Sequence, residues 1–426
     1  MIRYCESRNF KSVSPLFLLF EKMSLLNCLL CHEHWINYYE YAVRNSPISS
    51  SSEDDLFKFI RDKEYLPIAT KILGGGTLSH PCKRLINKVG TNKKRIVYTF
   101  NREENYILKF ITFILIRQYD YCFADNLYSF RVDCGAKRAI NRIVRTHNID
   151  DYYSYKVDIS NYFNSINIDK LLIMLRGIFA DDEHLYNFFE TLLRDPYIEY
   201  NGKIIEEDAK GVMAGNPTAA FLANIYLSGL DKAFQDAGIL YCRYSDDIII
   251  FAKSMAEIAQ HKEFIVHHLR SFDLTINHSK EFLTLPEQQW EYLGFAYCNG
   301  DVDISPISLR KLKARMRRKS GALLRWQRTK NKPAEAAARA FVKRLNRKLY
   351  DTSDTHETNW SRWYFPLITT DKSLKEIDKY TQECIRHIIS GRHSKSNYRY
   401  TYHQIKQLGY KSLVRNWWAY HTESNN

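Results

Sequence analysis

Tyr244-Ser245-Asp246-Asp247 stands between two apolar runs at residues 238–242 and 248–252. Runs of β-branched and aromatic residues on either side of a short polar pair read as a β-hairpin. Its tip would carry two adjacent carboxylates. Such neighbours repel unless a cation lies between them, and carboxylate oxygens suit hard Mg2+. A plainer use is open, because Asp is common in turns, where its side chain accepts from nearby backbone N–H groups. The deciding feature is a third carboxylate. Asp158 stands in Tyr155-Lys156-Val157-Asp158-Ile159, another strand pattern. If the two strands are neighbours in one sheet, three carboxylates converge, which is what two-metal phosphoryl transfer requires. Positioning and charge supply most of that catalysis.

Elements of both kinds must hold these residues. Dense apolar periodicity predicts a buried helix over 103–118, and 169–195 and 255–272 also read as helical. Asn201-Gly202 between short runs signals a type I′ hairpin. Asn216-Pro217 is expected to open one long helix, with Asn as N-cap and Pro in the first turn, closed by Gly238. Residues 292–297 and 302–304 read as two short strands around Asn299-Gly300. Residues 49–55 read as a linker with Ser52 as a helix N-cap, and Gly74-Gly75-Gly76 as a loop. From Ser308 onward the pattern is mostly helical. Without regular βαβ alternation, the fold class is α+β with an antiparallel sheet, followed by a helical, basic region.

A content of 45% hydrophobic and 14% aromatic residues over 426 positions excludes a disordered chain and allows two or three cores. Nine scattered cysteines read as reduced thiols in the cytoplasm rather than a disulfide framework. Residues 15–31 are rather apolar, but Glu21, Lys22 and Asn27 interrupt them, so neither a membrane span nor a signal peptide is expected. Cys28-Leu29-Leu30-Cys31-His32 has a haem-attachment spacing, or with His34 a zinc one, yet no export context or second ligand cluster accompanies it. Charge is more telling. Residues 301–426 hold 27 Lys+Arg against 11 Asp+Glu, whereas residues 1–300 hold 35 against 37. Aromatic rings such as Trp326, Tyr398, Tyr402 and Trp418 are interleaved with that positive excess. The combination suits a polyanion, nucleic acid above all.

In collinear order, the chain resembles a reverse transcriptase. Residues 157–163, Val157-Asp158-Ile159-Ser160-Asn161-Tyr162-Phe163, resemble the first catalytic palm motif. The stretch from Gly211-Val212-Met213-Ala214-Gly215 to Asn224 resembles the motif beneath the primer-template and incoming nucleotide, and Tyr244-Ser245-Asp246-Asp247 the metal-binding hairpin. Leu274-Thr275-Ile276-Asn277 leading to Lys280, and Tyr292-Leu293-Gly294-Phe295, are similar to the next motif and the primer grip. Upstream, Lys93-Lys94-Arg95-Ile96-Val97 and Tyr128-Ser129-Phe130-Arg131 resemble two fingers motifs.

The resemblance implies a right-hand polymerase. It would have an N-terminal extension (1–50), fingers (51–152), palm (153–300, with part of the fingers inserted around 165–210), thumb (301–350) and a basic RNA-binding region (351–426). Asp158, Asp246 and Asp247, with Ile159, would ligate two Mg2+ ions, or Mn2+ in their place, and Lys280 would protonate the leaving pyrophosphate. Phe163 would be the steric gate against a 2′-hydroxyl. Gly215, Tyr244, Lys94 and Arg95 would line the dNTP site. Arg131, Asn224, Arg310, Lys313, Arg317 and Arg318 would contact nucleic acid. One departure stands out: many relatives carry Pro-Gln where this chain has Met213-Ala214.

With no recognisable protease, integrase, RNase H or Cys/His-rich nuclease segment, and no evident retron signatures, the layout is similar to the stand-alone bacterial defence-associated reverse transcriptases, class 2 in particular. That implies a cytoplasmic enzyme copying a cognate structured non-coding RNA into cDNA in antiphage defence, its primer and oligomeric state left open. Two alternatives stand beside it. One is a group II intron or retron-like reverse transcriptase or maturase acting mainly as an RNA-binding protein, against which the complete carboxylate set weighs. The other is an RNA-dependent RNA polymerase, against which Phe163 weighs.

Overall fold

The computed structural model describes residues 23–45, 50–87, 94–208, 210–350, 360–392 and 395–424. Lys93, Ser49 and residues 15–22 of the apolar stretch 15–31 lie outside the described residues. Among the described residues, a short 3-10 turn at Leu25–Leu30 leads into three α-helices: α1 (His32–Asn45), α2 (Ser50–Arg61) and α3 (Tyr65–Leu73). The helix expected to follow an N-cap at Ser52 already begins at Ser50. Cys28 is buried in the core these helices build, and burial pushes its thiol up to about 11, so it packs there as a small apolar residue. His32 is tied to the Tyr65 hydroxyl at 3.0 Å.

β1 (Cys82–Asn87) and β2 (Lys94–Thr99) form an antiparallel pair, followed by α4 (Arg102–Gln118), the expected buried helix, and α5 (Ala136–Val144). After β3 (Tyr153–Asp158) come α6 (Tyr162–Ser165), α7 (Ile168–Ile178) and α8 (Glu183–Arg194). β4 (Tyr197–Tyr200) and β5 (Lys203–Glu206) form the type I′ hairpin, with Asn201 and Gly202 both at positive φ. These strands extend the first sheet, in the order β2-β1-β4-β5.

The long helix expected from Asn216 is two: α9 (Ala219–Tyr226) and α10 (Ser228–Asp236). Asn216 Oδ1 instead accepts from the N–H and hydroxyl of Thr218, both at 3.1 Å, in the turn before α9. At the break, the Ser228 hydroxyl donates back to the Ile225 carbonyl at 2.8 Å, competing with the helical ladder. Gly238, at φ +67°, does terminate α10.

β6 (Tyr241–Tyr244), β7 (Asp247–Ala252), α11 (Met255–Ser271) and β8 (Phe282–Thr284) follow, and the central antiparallel sheet has the order β6-β7-β3-β8. The single strand expected at 292–297 is a hairpin of β9 (Trp290–Tyr292) and β10 (Phe295–Cys298). Leu293 and Gly294 take φ +51° and +89° between them, a tight turn without the usual Asn-Gly signature. β11 (Asp301–Ile304) completes that small sheet. The helices α12 (Pro306–Thr329), α13 (Ala334–Tyr350), α14 (Trp360–Tyr364), α15 (Lys372–Ser390), α16 (Tyr402–Gln407) and α17 (Leu413–Ser424) finish the chain.

The central sheet separates two cores. Ile248, Ile250 and Ala252 of β7 face one core with Tyr155, Val157 and the N-terminal helices. Ile249 and Phe251 face the other with β9–β11 and the C-terminal helices. A strand buried on both faces reads as an unbroken apolar run, and residues 248–252 do. α12, α13 and α15 pack pairwise, α17 lies on α15, and all share the second core. The division expected at residue 350 therefore falls inside one packed unit. No helix among the described residues is long and apolar enough to cross a membrane.

Candidate active site

Pairing of β3 with β7 sets Asp158 opposite Asp247, and the Ile159 N–H donates to the Asp246 carbonyl at 3.0 Å. Ile159 offers the site only its backbone, since its side chain is buried. β6 and β7 are joined by Ser245-Asp246, with Ser245 at φ +60° and Tyr244 opposite Asp247. Left-handed backbone at the first loop position matches the right-handed twist of the strands. A third segment zips along the end of β3: Ser160 N–H donates to the Thr275 carbonyl at 2.9 Å and Asn277 N–H to the Asp158 carbonyl at 2.7 Å. It delivers Lys280, whose Nζ is 2.5 Å from Asp158 Oδ2.

The sheet therefore brings all three carboxylates to one end, although the Asp158 carboxylate turns onto Lys280, and no three acidic, His or Cys groups among the described residues form an array that encloses an ion. Burial, then the charges of Asp158 and Asp247, push the Asp246 carboxyl up to about 6. Burial also raises Asp247, offset by Lys156 while Asp158 adds to the rise, with Lys280 and Lys311 lowering it further. Hard oxygens that repel one another at one sheet end fit a divalent cation. Asp158, Asp246 and Asp247 would be the residues to hold one. Lys311, at the start of α12, joins the electrostatics of the site unforeseen.

Beneath the hairpin lies a buried polar network. Arg243 and Asp231 are both fully buried, paired Nε to Oδ1 at 2.7 Å and Nη2 to Oδ2 at 2.5 Å. Arg243 also donates to the carbonyls of Ser245 and Asn224, both at 3.2 Å. The Tyr241 hydroxyl adds 3.0 Å to Asp231, and the Tyr292 hydroxyl reaches the carbonyls of Cys242 and Asp247, each at 3.1 Å. Asn224 is buried and exchanges bonds with Ser129, whose Oγ accepts the Ser245 N–H at 2.9 Å. Asn224 is thus a support of the turn, and the expectation of a nucleic-acid contact is corrected. Arg131 is corrected likewise: it is buried, bidentate to Asp120 at 2.8 and 2.9 Å, and donates to two carbonyls. A polar residue in a motif reads as a ligand contact when burial is invisible. The available signal was Arg243 itself, a cation inside an apolar strand, where an unpaired charge is prohibitive.

Loop 210–218 closes the other side. Phe163, half-buried in α6, accepts Val212 N–H on its carbonyl at 2.9 Å. A Cβ on Gly211, at φ +53°, would meet that carbonyl at 2.3 Å. A Cβ on Gly215, at φ +105°, would meet the Tyr98 carbonyl at 2.8 Å and Val97 Cβ at 3.3 Å. The close approach at Gly215 is thus to β2 of this chain, where Tyr98 N–H also donates to Ala214 O at 2.8 Å. Alternation along β2 puts Arg95 on the face of Val97, toward Gly215, and Lys94 on the opposite face; both are exposed. Met213 is buried at φ +61°, which a proline cannot adopt, so the departure from Pro-Gln accompanies its own loop conformation.

On α12, Arg310, Arg317 and Arg318 are exposed. Lys313 is not free for nucleic acid: it pairs with Glu376 and lies 5.3 Å from the Tyr380 ring centroid, fastening α12 to α15.

Residues 86–297 match the reverse transcriptase (RNA-dependent DNA polymerase) family. The matched segment, just under half of the chain, contains all three carboxylates with Phe163, Gly215 and Lys280. The chain is also 28% identical over 106 residues to the retron Ec86 reverse transcriptase of Escherichia coli, a stretch amounting to 24% of this chain and 33% of that relative. Among solved structures, apo telomerase from Candida tropicalis is similar with a TM-score of 0.45 and 13% identity, over 90% of this chain and 73% of that one. Telomerase from Candida albicans in complex with a fragment of telomeric RNA has a TM-score of 0.42 and 12% identity, over 83% and 68% of the two chains.

Proposed function

We propose that this chain is a reverse transcriptase, an RNA-directed DNA polymerase that copies a cognate structured non-coding RNA into cDNA from dNTPs, in antiphage defence. The observation that carries the reading is the register that sets Asp158 opposite Asp247, with Asp246 at the turn, inside the segment that matches the family. Asp158, Asp246 and Asp247 would hold two Mg2+ ions, which Mn2+ can replace. When bound, such ions activate a primer hydroxyl and neutralise the triphosphate.

The remaining roles fall to side chains. Phe163, between the catalytic strand and loop 210–218, would exclude the ribose 2′-hydroxyl. Arg95 would hold phosphates with its planar fork. Lys280, positioned by Asp158, would offer a proton to the leaving pyrophosphate. Fingers would run from 51 to 152 and palm from 153 to 300, with a thumb extending from 301 through the C-terminal helices. Arg310, Arg317 and Arg318 would track the nucleic-acid backbone. Defence rests on the similarity in layout to the stand-alone bacterial enzymes.

The test is to purify the protein with its bound RNA, add Mg2+ and labelled dNTPs or NTPs, and compare with Asp246→Ala. The reading expects dNTP incorporation that the substitution abolishes. NTP incorporation would move the chain to the RNA polymerases, and RNA retention without synthesis to the maturase-like proteins. For the defence role, phage plating on cells with and without the gene should differ in the wild type and not in Asp246→Ala.

A further inference from the structure

Outside the carboxylate site, a cavity of about 330 Å3 opens between α12, α15 and the turn Lys395–Arg399. That is the lower end of the size range of small-ligand pockets. Tyr380 and Tyr398 stand in its walls with Arg317, Arg386 and Asn397, and Gly321 forms part of its α12 side. We propose that this cavity binds one unstacked nucleotide of single-stranded RNA, a proposal that rests on the reading of the chain as an RNA-binding polymerase.

Three observations support it. Tyr398 is 60% exposed, an aromatic ring left at the mouth rather than spent in the core. It is held there by the Arg386 guanidinium, 4.9 Å from its centroid, which is itself fixed by a 3.0 Å bond to the Tyr400 carbonyl. A ring held in this way offers a stacking face to a splayed-out base, and arginines beside it suit phosphate. Second, Asn397 donates Nδ2 to the Arg392 carbonyl at 2.8 Å, which pins the turn that carries Tyr398 beside the cavity. Third, Gly321 sits in the interior of a 24-residue helix, where glycine is unfavourable. A Cβ there would meet nothing nearer than Arg325 Nη1 at 3.7 Å, so the absent side chain leaves the cavity open rather than relieving a clash.

The test uses the full chain, a labelled oligoadenylate RNA and a blunt RNA duplex of the same length, whose bases cannot splay. Tyr398→Ala is expected to weaken oligoadenylate binding about tenfold, the loss of one stacked base, with duplex binding unchanged. Gly321→Leu, which fills the cavity without removing any group, is expected to show the same selective loss. Unchanged oligoadenylate binding in both variants, or equal loss on both RNAs, would overturn the pocket. Binding rather than synthesis is read, so a chain that fails to polymerise would defeat the proposed function and leave this result intact.

Discussion

Two buried aspartates organise two regions of the molecule by different means. Asp231, under the carboxylate hairpin, is paired with a fully buried cation, Arg243, which in turn holds the Ser245 carbonyl of the turn. Asp378, in the C-terminal helices, has only neutral donors among the described residues: the Tyr410 hydroxyl at 2.7 Å, the Ser412 hydroxyl at 2.6 Å, and the N–H groups of Leu413 at 2.9 Å and Val414 at 3.3 Å. From α15 it thereby caps the start of α17, doing across space what an N-cap does locally. The charged pair fixes a turn that must present two repelling carboxylates, and a bidentate guanidinium fork tolerates little displacement. The neutral cap joins two helices whose faces already share an apolar core. The geometry of the hairpin needs a rigid anchor; the helices need only an end condition.

The largest effect should come from breaking the charged anchor on one side. Arg243→Met leaves Asp231 buried without its counter-ion and is expected to cost about 3–5 kcal/mol, read by denaturant unfolding. The double variant Arg243→Met/Asp231→Leu should recover most of that stability, because a buried pair can be replaced by apolar groups at little cost. It should not recover DNA synthesis, because the Ser245 carbonyl has lost its donor. Recovery of both would mean that the pair serves stability alone.

Next in size is Met213→Pro, which restores the residue many relatives carry. At φ +61° the ring cannot close without moving the loop, and the Met213 N–H bond to Lys210 is lost, so a loss of about 1–3 kcal/mol is expected with a drop in synthesis. Asp378→Ala should cost a similar or smaller amount, about 1–3 kcal/mol from donors left unpaired. Its mark should be local: faster hydrogen exchange in α17, with the central sheet unchanged. Smallest is Lys313→Ala, at the partly exposed Glu376 pair, expected at under about 1 kcal/mol.

The same contrast explains what could be read from the sequence. Asp158 and Asp246-Asp247 were legible because strand periodicity and turn chemistry are local, and their convergence needed only that β3 and β7 be neighbours. The helix at 103–118, the hairpin at Asn201-Gly202 and the basic C-terminal segment were legible for the same reason. Asp231 was not, since an Asp followed by Lys232 in a helix looks like a solvated face. Asn224 and Arg131 looked like ligand contacts, because a sequence shows polarity without burial. The breaks at Leu227 and Leu293-Gly294 arise from one hydroxyl and one pair of φ angles, too little signal against the apolar runs around them. Asp378 and its four donors lie 32 to 36 residues apart, beyond any local pattern.

On the proposed function, Asp158, Asp246 and Asp247 form one cation site. Electron paramagnetic resonance of Mn2+ with the full chain, a primer-template and a non-hydrolysable dNTP tests it directly. Bound Mn2+ is expected in the wild type, with a clear loss in both Asp158→Asn and Asp246→Asn, variants that keep shape and remove charge. Mn2+ binding equal to wild type in both would contradict it.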